Sequence, residues 1–226
     1  MLFPYETLKR FAYPILIVSI LSLIAVLIPG IGHRAGGAMR WLKFQFFSFQ
    51  PSEFAKLGLV VFLAYLLDKK EEKIRSFSFG FLPPVLLSGL VIALVMKEPD
   101  FGAAFFLTAM VFLLLFVSGA RVIYIAGAFL MAIPVAYTLL MTVGYRYKRL
   151  MGFIRPWDDP TGTSFQIIQS FLSFGSGGFF GLGLGEGRQK LFFLPAPHTD
   201  FIFSIIGEEL GLVGAMGVVL LFLILT

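Results

Sequence analysis

The chain has 226 residues, of which 58% are hydrophobic and only 14% are charged, and its formal net charge is +5. With a mean hydropathy of +0.90, this composition excludes an ordinary soluble domain and indicates an integral membrane protein. The chain contains no cysteine, which excludes disulfides, thiolate metal sites and a cysteine nucleophile.

Six apolar stretches are long enough for membrane-spanning helices, since a span needs about 20 mostly apolar residues, or roughly 17 when neighbours help. They cover residues 11–29, 51–67, 81–96, 101–118, 122–143 and 200–225. All should be helical, because lipid offers no partner to an open backbone. The sequence therefore predicts an all-α, polytopic membrane domain over residues 1–226. The 56 residues between the last two spans, 144–199, form one long loop.

Lysines and arginines near the predicted spans conflict over the orientation in the membrane. The short loop 69–76 and Arg121 are basic and favour one side as cytoplasmic, whereas residues 34–43 and 146–190 carry more cations on the other side. Counting alone places the long loop in the cytoplasm. The alternative is an external loop whose cations serve a local anionic ligand, and charge counts do not choose between the two.

The segment FQPSEFAK, residues 49–56, reads as a helix start. Pro51 suits the first helical position and Glu53 suits the positive end of the helix dipole. Helix initiation does not explain Lys56, which lies three residues after Glu53 on the same face of an apolar span. Ionisable groups there are costly and usually functional, so we favour a functional role for the pair.

The segment KEPDFG, residues 97–102, separates two spans. Pro99 ends one helix, and Asp100 is placed to cap the next one. Capping alone would account for Asp100. Together with Glu98, Asp100 is also a candidate ligand for a divalent cation, Mg²⁺ or Mn²⁺, because such ions take oxygen ligands and often bridge to phosphate.

The long loop begins with GYRYKRLMGFIRPWDDPTG, in which four cations alternate with aromatic residues. Arg146, Arg149 and Arg155 suit a phosphate or pyrophosphate headgroup, because arginine makes bidentate contacts with such groups. An ordinary anchor at the membrane interface explains the pattern equally well. Nucleic acid is excluded as a partner, since the chain has no soluble basic domain. Further along, SFQIIQSFLSF predicts a helix over 164–174 that lies on the membrane or dips into it.

The glycine-rich run GSGGFFGLGLGEGRQK, residues 175–190, does not indicate a nucleotide site. It lacks the Gly-Lys-Ser/Thr ending of a P-loop and has no strand before it. Glycines at this density favour close backbone packing or a bend at membrane depth, covered by protein.

Three carboxylates lie in LPAPHTDFIFSIIGEELG, residues 194–211. Asp200, beside His198, stands at the mouth of the last span, where Thr199 or Asp200 can cap the helix. Glu208 lies about 12 Å deeper at 1.5 Å per residue, so it cannot share a reacting atom with Asp200. We expect Glu208 and Glu209 to pair with neighbouring helices.

Five motifs, GGAMRW, FQPSEFAK, EPDFG, PWDDPTGTSFQIIQS and LPAPHTDFIFSIIGEELG, together resemble the SEDS family, which includes FtsW, RodA and SpoVE. The resemblance implies a ten-helix membrane fold, of which this chain resembles the third to eighth helices. It implies a peptidoglycan glycosyltransferase of the bacterial cytoplasmic membrane that polymerises lipid II with a class B penicillin-binding protein, and it places the long loop outside. The IIGEELG and PWDDPTG segments look closer to FtsW and SpoVE, and so to division proteins, than to RodA.

The resemblance also assigns roles to residues. Asp200 falls on the family's general base, Trp41 on the tryptophan of its GA-x-RW motif, and Glu53 and Lys56 on its sensitive acidic and basic pair. Asp100 falls on the aspartate of its QPDLG motif, with Glu98 in place of glutamine. The remaining candidates for substrate binding are Arg40, Arg146, Arg149, Arg155, Gln189, Lys190 and His198.

The implied reaction is an inverting glycosyl transfer in which Asp200 accepts the proton of the acceptor sugar 4-hydroxyl. Lysine, arginine or a divalent ion would offset the charge of the leaving pyrophosphate. A flippase for lipid II, a RodA-like elongation protein and a scaffold for division proteins are the rival interpretations.

Overall fold

A computed structural model of the chain describes residues 5–35, 38–162, 164–187 and 201–225. It forms two compact units, residues 1–132 and 133–226. The helices are α1 (Tyr5–Leu27), α2 (Pro51–Lys69), α3 (Leu82–Lys97), α4 (Phe101–Val117), α5 (Val122–Met141), α6 (Gly144–Ile154), α7 (Phe165–Gly177) and α8 (Ile202–Leu225). A short π-helical stretch, Phe77–Phe81, leads into α3, and short 3₁₀ turns cover Glu71–Lys73 and Pro156–Asp158.

Helices occupy most of each predicted apolar stretch, and the all-α polytopic fold class is confirmed. Within the described residues, four segments are long and apolar enough to cross a membrane: Glu6–Leu27, Phe77–Lys97, Val122–Met141 and Ile202–Leu225. Helix α4 is apolar but shorter, and α2 carries charges at both ends. The count of six spans therefore stays a prediction.

The first unit is built around α2, whose buried face contacts α1, α3 and α4. Leu59, Phe62 and Leu63 of α2 are almost fully buried and join one apolar cluster with Leu23 of α1 and Leu107 of α4. Between helices that lie in lipid, such packing stabilises through close van der Waals contact rather than removal of water. A methyl group at Gly58 would overlap the Ser19 hydroxyl, so α1 and α2 approach closely here.

A small antiparallel sheet follows α1 and was not predicted. Strands β1 (Gly32–Ala35), β2 (Ala38–Lys43) and β3 (Ser48–Phe49) lie in the order β1-β2-β3. His33 is opposite Trp41 and Leu42 is opposite Phe49, with an irregularity after His33. These strands are short and lie between apolar helices, so a search for long apolar runs gives no signal for them.

In the second unit, the predicted helix over 164–174 is confirmed as α7, which extends to Gly177 and packs against α8. Helix α6, at the start of the long loop, was not predicted. The last span is not the single continuous helix that the sequence suggested. Gly211 interrupts α8 with a φ of 66° and a ψ of −164°, which divides it into a first half before Gly211 and a second half after it.

Candidate functional site

Arg40 joins the small sheet to the turn between α3 and α4. From β2, its Nε donates to the Glu98 carbonyl oxygen at 3.2 Å and its Nη2 donates to the Pro99 carbonyl oxygen at 2.6 Å. Its Nη1 lies 3.7 Å from Asp100 Oδ2. Three guanidinium nitrogens thus face one short turn, so the planar fork acts as a clamp. The neighbouring Trp41 is carried on the same strand and is half-buried.

Asp100 caps α4, as the sequence predicted: its Oδ1 accepts a hydrogen bond from the Ala103 N–H at 3.1 Å. Its other oxygen faces Arg40. Both carboxylate oxygens are therefore engaged within the protein. The capping interpretation is confirmed.

Glu98 is the least expected group at this turn. Its side chain is fully buried, and neither carboxylate oxygen has a hydrogen-bond partner among the described residues. The pKa of Glu98 is raised to about 8, mainly by burial and also by the charge of Asp100, while the charge of Arg40 offsets part of the increase. The carboxyl group is therefore mostly protonated near pH 7.

The turn between α3 and α4 offers poor ligands to a divalent ion. Asp100 is committed to a helix cap and to Arg40, and the protonated Glu98 is a weak ligand. No group of three His, Asp or Glu residues able to hold a metal ion occurs among the described residues. The side chains around Asp100 do not fit a resident cation, so we derive no step through one.

Glu53 and Lys56 form the predicted pair on α2, with Lys56 Nζ 2.7 Å from Glu53 Oε1. The ammonium group also lies 5.4 Å from the centre of the Phe106 ring on α4. The Glu53 side chain is 59% exposed, whereas that of Lys56 is 25% exposed. The pair thus presents a carboxylate to the surroundings and keeps its cation against an aromatic face.

The basic and aromatic residues at the start of the long loop lie on and after α6, in the second unit. Arg149 stacks over the Tyr145 ring at 4.6 Å, and Arg146 donates to the Leu139 carbonyl oxygen at 3.0 Å. Arg155 is exposed at the C-terminal end of α6, near the exposed Trp157. Cations and aromatic rings on one short helix suit contact with a membrane headgroup.

The remaining predicted residues, Gln189, Lys190, His198 and Asp200, lie in the segment 188–200, outside the described residues. Their predicted roles stay predictions. Helix α8 begins at Ile202, two positions after Asp200 in the sequence.

The glycine-rich run packs into the interruption of α8. The N–H groups of Leu182 and Gly183 donate to the carbonyl oxygens of Glu208 and Glu209, both at 3.0 Å. The predicted close approach of backbone is confirmed here. Glu209 also accepts a hydrogen bond from the Gly185 N–H through its side chain, at 3.0 Å. The expected pairing of Glu208 and Glu209 with neighbouring helices stays a prediction.

A family model described as "Cell cycle protein", covering FtsW, RodA and SpoVE, matches residues 1–226. The chain belongs to this family. It is 48% identical to the "Probable peptidoglycan glycosyltransferase FtsW" of Geobacter metallireducens over 98% of this chain and 59% of that protein. It is 39% identical to the "Stage V sporulation protein E" of Bacillus subtilis over 98% of this chain and 60% of that protein.

A solved structure of a family member is also similar. A chain from "Structural coordination of polymerization and crosslinking by a peptidoglycan synthase complex" is 32% identical, with a TM-score of 0.75 over 97% of this chain and 60% of that chain. The FtsW/RodA/SpoVE chain described here thus spans about 60% of these relatives. It is a multi-pass protein of the bacterial cytoplasmic membrane.

Two features of this family member were not predicted from the sequence. Glu98 was noted only as a partner for Asp100, whereas in the described part of the chain its carboxyl group is buried without a hydrogen-bond partner. The clamping role of Arg40 carried no signal, because its partners are backbone carbonyls 58 and 59 positions away in the sequence.

Proposed function

We propose that this chain is part of a peptidoglycan glycosyltransferase that polymerises lipid II at the outer face of the cytoplasmic membrane during cell division. The observation that carries the proposal is the 48% identity to relatives named as peptidoglycan glycosyltransferase FtsW, which extends over 98% of this chain.

The proposed reaction transfers a glycan between two lipid-linked sugars. Asp200 accepts the proton of the acceptor 4-hydroxyl while that oxygen forms a bond to the donor anomeric carbon. The bond from this carbon to the pyrophosphate oxygen breaks, and the lipid pyrophosphate leaves with the bonding electrons. General base catalysis contributes typically about 10²–10⁴-fold, so orientation and electrostatic stabilisation must supply the rest.

We propose Lys56, in the first unit, and Arg149, in the second unit, as two separate candidates for contact with a phosphate group. The Lys56 ammonium has one carboxylate partner, Glu53, and an aromatic face beside it. The Arg149 guanidinium lies over the Tyr145 ring, 4.6 Å from its centre, and arginine is suited to bidentate contacts with phosphate. We assign Arg40 a different role, because its donors are directed at the α3–α4 turn. It positions Trp41 and Asp100 rather than binding the substrate.

The proposed partners are a class B penicillin-binding protein, which cross-links the glycan, and other divisome proteins. Support comes from the similar solved structure, which is that of a peptidoglycan synthase complex that coordinates polymerization and crosslinking. A polymerase that releases glycan strands at the outer face of the cytoplasmic membrane needs a transpeptidase on the same side to cross-link them.

The test uses the full-length protein, purified with its partner and supplied with labelled lipid II. We expect glycan polymer that forms in the presence of moenomycin, and Asp200→Asn should reduce its rate at least 100-fold. The matched control is Asp68→Asn, the same change at an exposed carboxylate that pairs with Lys9, and it should polymerise at the wild-type rate. Wild-type polymerisation by Asp200→Asn would disprove the base assignment. Transfer of lipid II across vesicles without polymer would favour the flippase.

A further inference from the structure

The interruption of α8 leaves four backbone groups that a continuous helix would pair with one another. In an unbroken α-helix each N–H donates to the carbonyl four residues earlier, so Leu212 would bond to Glu208 and Val213 to Glu209. Here these groups bond to the glycine-rich loop instead. The Glu208 and Glu209 carbonyl oxygens accept from Leu182 and Gly183, as described above.

The two amide groups freed by the interruption find partners in the same loop. The Leu212 N–H donates to the Gly178 carbonyl oxygen at 2.9 Å, and the Val213 N–H donates to the Phe179 carbonyl oxygen at 3.2 Å. Residues 178–183 thus insert into the hydrogen-bond ladder of α8 and replace two of its bonds with four. We call these six residues the wedge. At membrane depth, unpaired backbone groups are too costly to persist, so the wedge and the interruption depend on each other.

Glycines make the insertion sterically feasible. A methyl group at Gly211 would contact the Gly181 nitrogen and the Phe179 carbonyl oxygen, and one at Gly181 would overlap the Glu209 carbonyl group. Both residues also have positive φ values, 66° at Gly211 and 80° at Gly181, which other residues rarely adopt. Only glycine at these two positions allows the wedge and the helix to approach this closely.

The first half of α8 is held by α7 as well as by the wedge. The hydroxyl oxygens of Ser170 and Ser204 lie 2.6 Å apart in a hydrogen bond. Gly207 faces the Phe174 ring so closely that a methyl group there would overlap it. The first half of α8 is therefore held by α7 and the wedge, and the wedge also joins it to the second half through Leu212 and Val213.

We propose that the wedge is a positioning element for the glycosyl transfer: by holding α8 open at Gly211, it sets the direction of the first half of α8, whose first residue, Ile202, follows Asp200 by two positions in the sequence. This inference rests on the proposed function, because Asp200 follows from the family as general base and precedes Ile202 by two residues. A continuous α8 would aim its N-terminal end in another direction. A general base that is displaced in this way loses turnover while the binding of substrate is retained.

The test combines a distance and a rate in the full-length protein with its partner. Spin labels at Ile202 and Leu221, both exposed, report the geometry of α8, and these 226 residues contain no cysteine to compete for labelling. In a continuous helix the two positions are about 28 Å apart at 1.5 Å per residue. We expect the wild-type distance to differ from this value, and Gly211→Ala to shift it towards about 28 Å.

Gly181→Ala disrupts the wedge without changing the sequence of α8, so it provides a second variant if Gly211→Ala folds poorly. Both variants should lower kcat for labelled lipid II by more than 10-fold with KM changed less than 3-fold. Gly217→Ala is the matched control, since a methyl group there meets nothing within 4 Å, and it should change neither readout.

A distance that does not move in Gly211→Ala and Gly181→Ala would show that the wedge does not hold the interruption open. A distance that moves while kcat stays at the wild-type value would overturn the positioning role. Failure of the proposed function is distinguishable from both outcomes, because it appears as wild-type polymerisation by Asp200→Asn, and the label distance requires no turnover.

Discussion

The guanidinium of Arg40 lies 3.7 Å from the Asp100 carboxylate while it also donates to the carbonyl oxygens of Glu98 and Pro99. One side chain on β2 thus fixes the turn at which α3 ends and α4 begins. The capping bond of Asp100 lies in the same turn. The contacts of Arg40 thus explain a structural role for it, and its predicted role in substrate binding stays a prediction.

Removal of the clamp should therefore affect stability as well as activity. Arg40→Ala loses two charge-assisted hydrogen bonds and leaves two carbonyls without their donor, a loss of about 1.5–3 kcal/mol for each well-formed bond before relaxation and hydration reduce it. We expect a clearly lower thermal unfolding midpoint in detergent. Arg40→Lys should recover only part of the lost thermal stability, because an ammonium group lacks the planar fork of a guanidinium.

Arg34→Ala is the control for this experiment, since Arg34 is an exposed arginine on the neighbouring strand β1. It should leave the midpoint unchanged. If Arg40→Ala unfolds at the wild-type temperature but polymerises poorly, Arg40 binds the substrate and the clamp is not its main role.

Glu98 should make the protein less stable as the pH rises. The pKa of its carboxyl group is raised from 4.5 to about 8 by burial, so between these values the folded state holds a proton that the unfolded state has released. The contribution of Glu98 to the free energy of unfolding therefore declines as the pH rises from about 4.5 to 8. Above about pH 8 this contribution changes little. Thermal unfolding midpoints at pH 6, 7, 8 and 9 measure the decline.

Glu98→Gln supplies the control, because glutamine has nearly the same shape and no titratable proton. We expect it to be more stable than the wild type at pH 8 and above, and to lack this component of the pH dependence. Asp68→Asn, at an exposed carboxylate, should leave the pH profile as it is. A Glu98→Gln profile that parallels the wild type from pH 6 to 9 would show that Glu98 is not buried as a neutral acid.

The sequence predicts most helices because lipid imposes a simple rule: apolar stretches of sufficient length become helices whatever their neighbours. The predicted pairing of Glu53 with Lys56 and the cap at Asp100 also follow from local spacing alone. Each of these features lies within a few residues of sequence, where backbone geometry fixes which side chains meet.

The features that were missed depend on contacts between distant parts of the chain. The interruption at Gly211 exists because a loop about 30 residues earlier supplies the replacement hydrogen bonds. In isolation, LGLVGAMG reads as an ordinary helix with small residues on one face. Local propensity favours the continuous helix, and only the partner segment reverses that preference.

Lys56 should contribute to catalysis far more than to stability. Its pair with Glu53 is largely exposed on the carboxylate side, and pairs of that kind are worth about 0–1 kcal/mol. Lys56→Gln should therefore shift the thermal midpoint only slightly and lower kcat/KM for labelled lipid II at least 10-fold. The loss should exceed that of Glu53→Gln, which removes the partner but keeps the cation against Phe106.

The double variant Glu53→Gln/Lys56→Gln separates the two interpretations of this pair. If the pair is structural, the double variant should recover, because neither charge is left without its partner. If Lys56 stabilises the leaving pyrophosphate, the double variant should be as slow as Lys56→Gln. Recovery to within 3-fold of the wild type would rule out the catalytic role.

Arg149 should act through its guanidinium plane, which stacks on the Tyr145 ring. Arg149→Lys keeps the charge but loses the stacking and the bidentate fork, so we expect KM for lipid II to rise about 3–10-fold with kcat nearly unchanged, equivalent to roughly 0.6–1.4 kcal/mol of binding. Tyr145→Leu should give a similar rise because the ring no longer orients the guanidinium. Lys148→Gln, at an exposed cation on the same helix, is the control and should change KM less than 2-fold. Equal effects of Arg149→Lys and Lys148→Gln would mean that α6 contributes only general positive charge at the membrane surface.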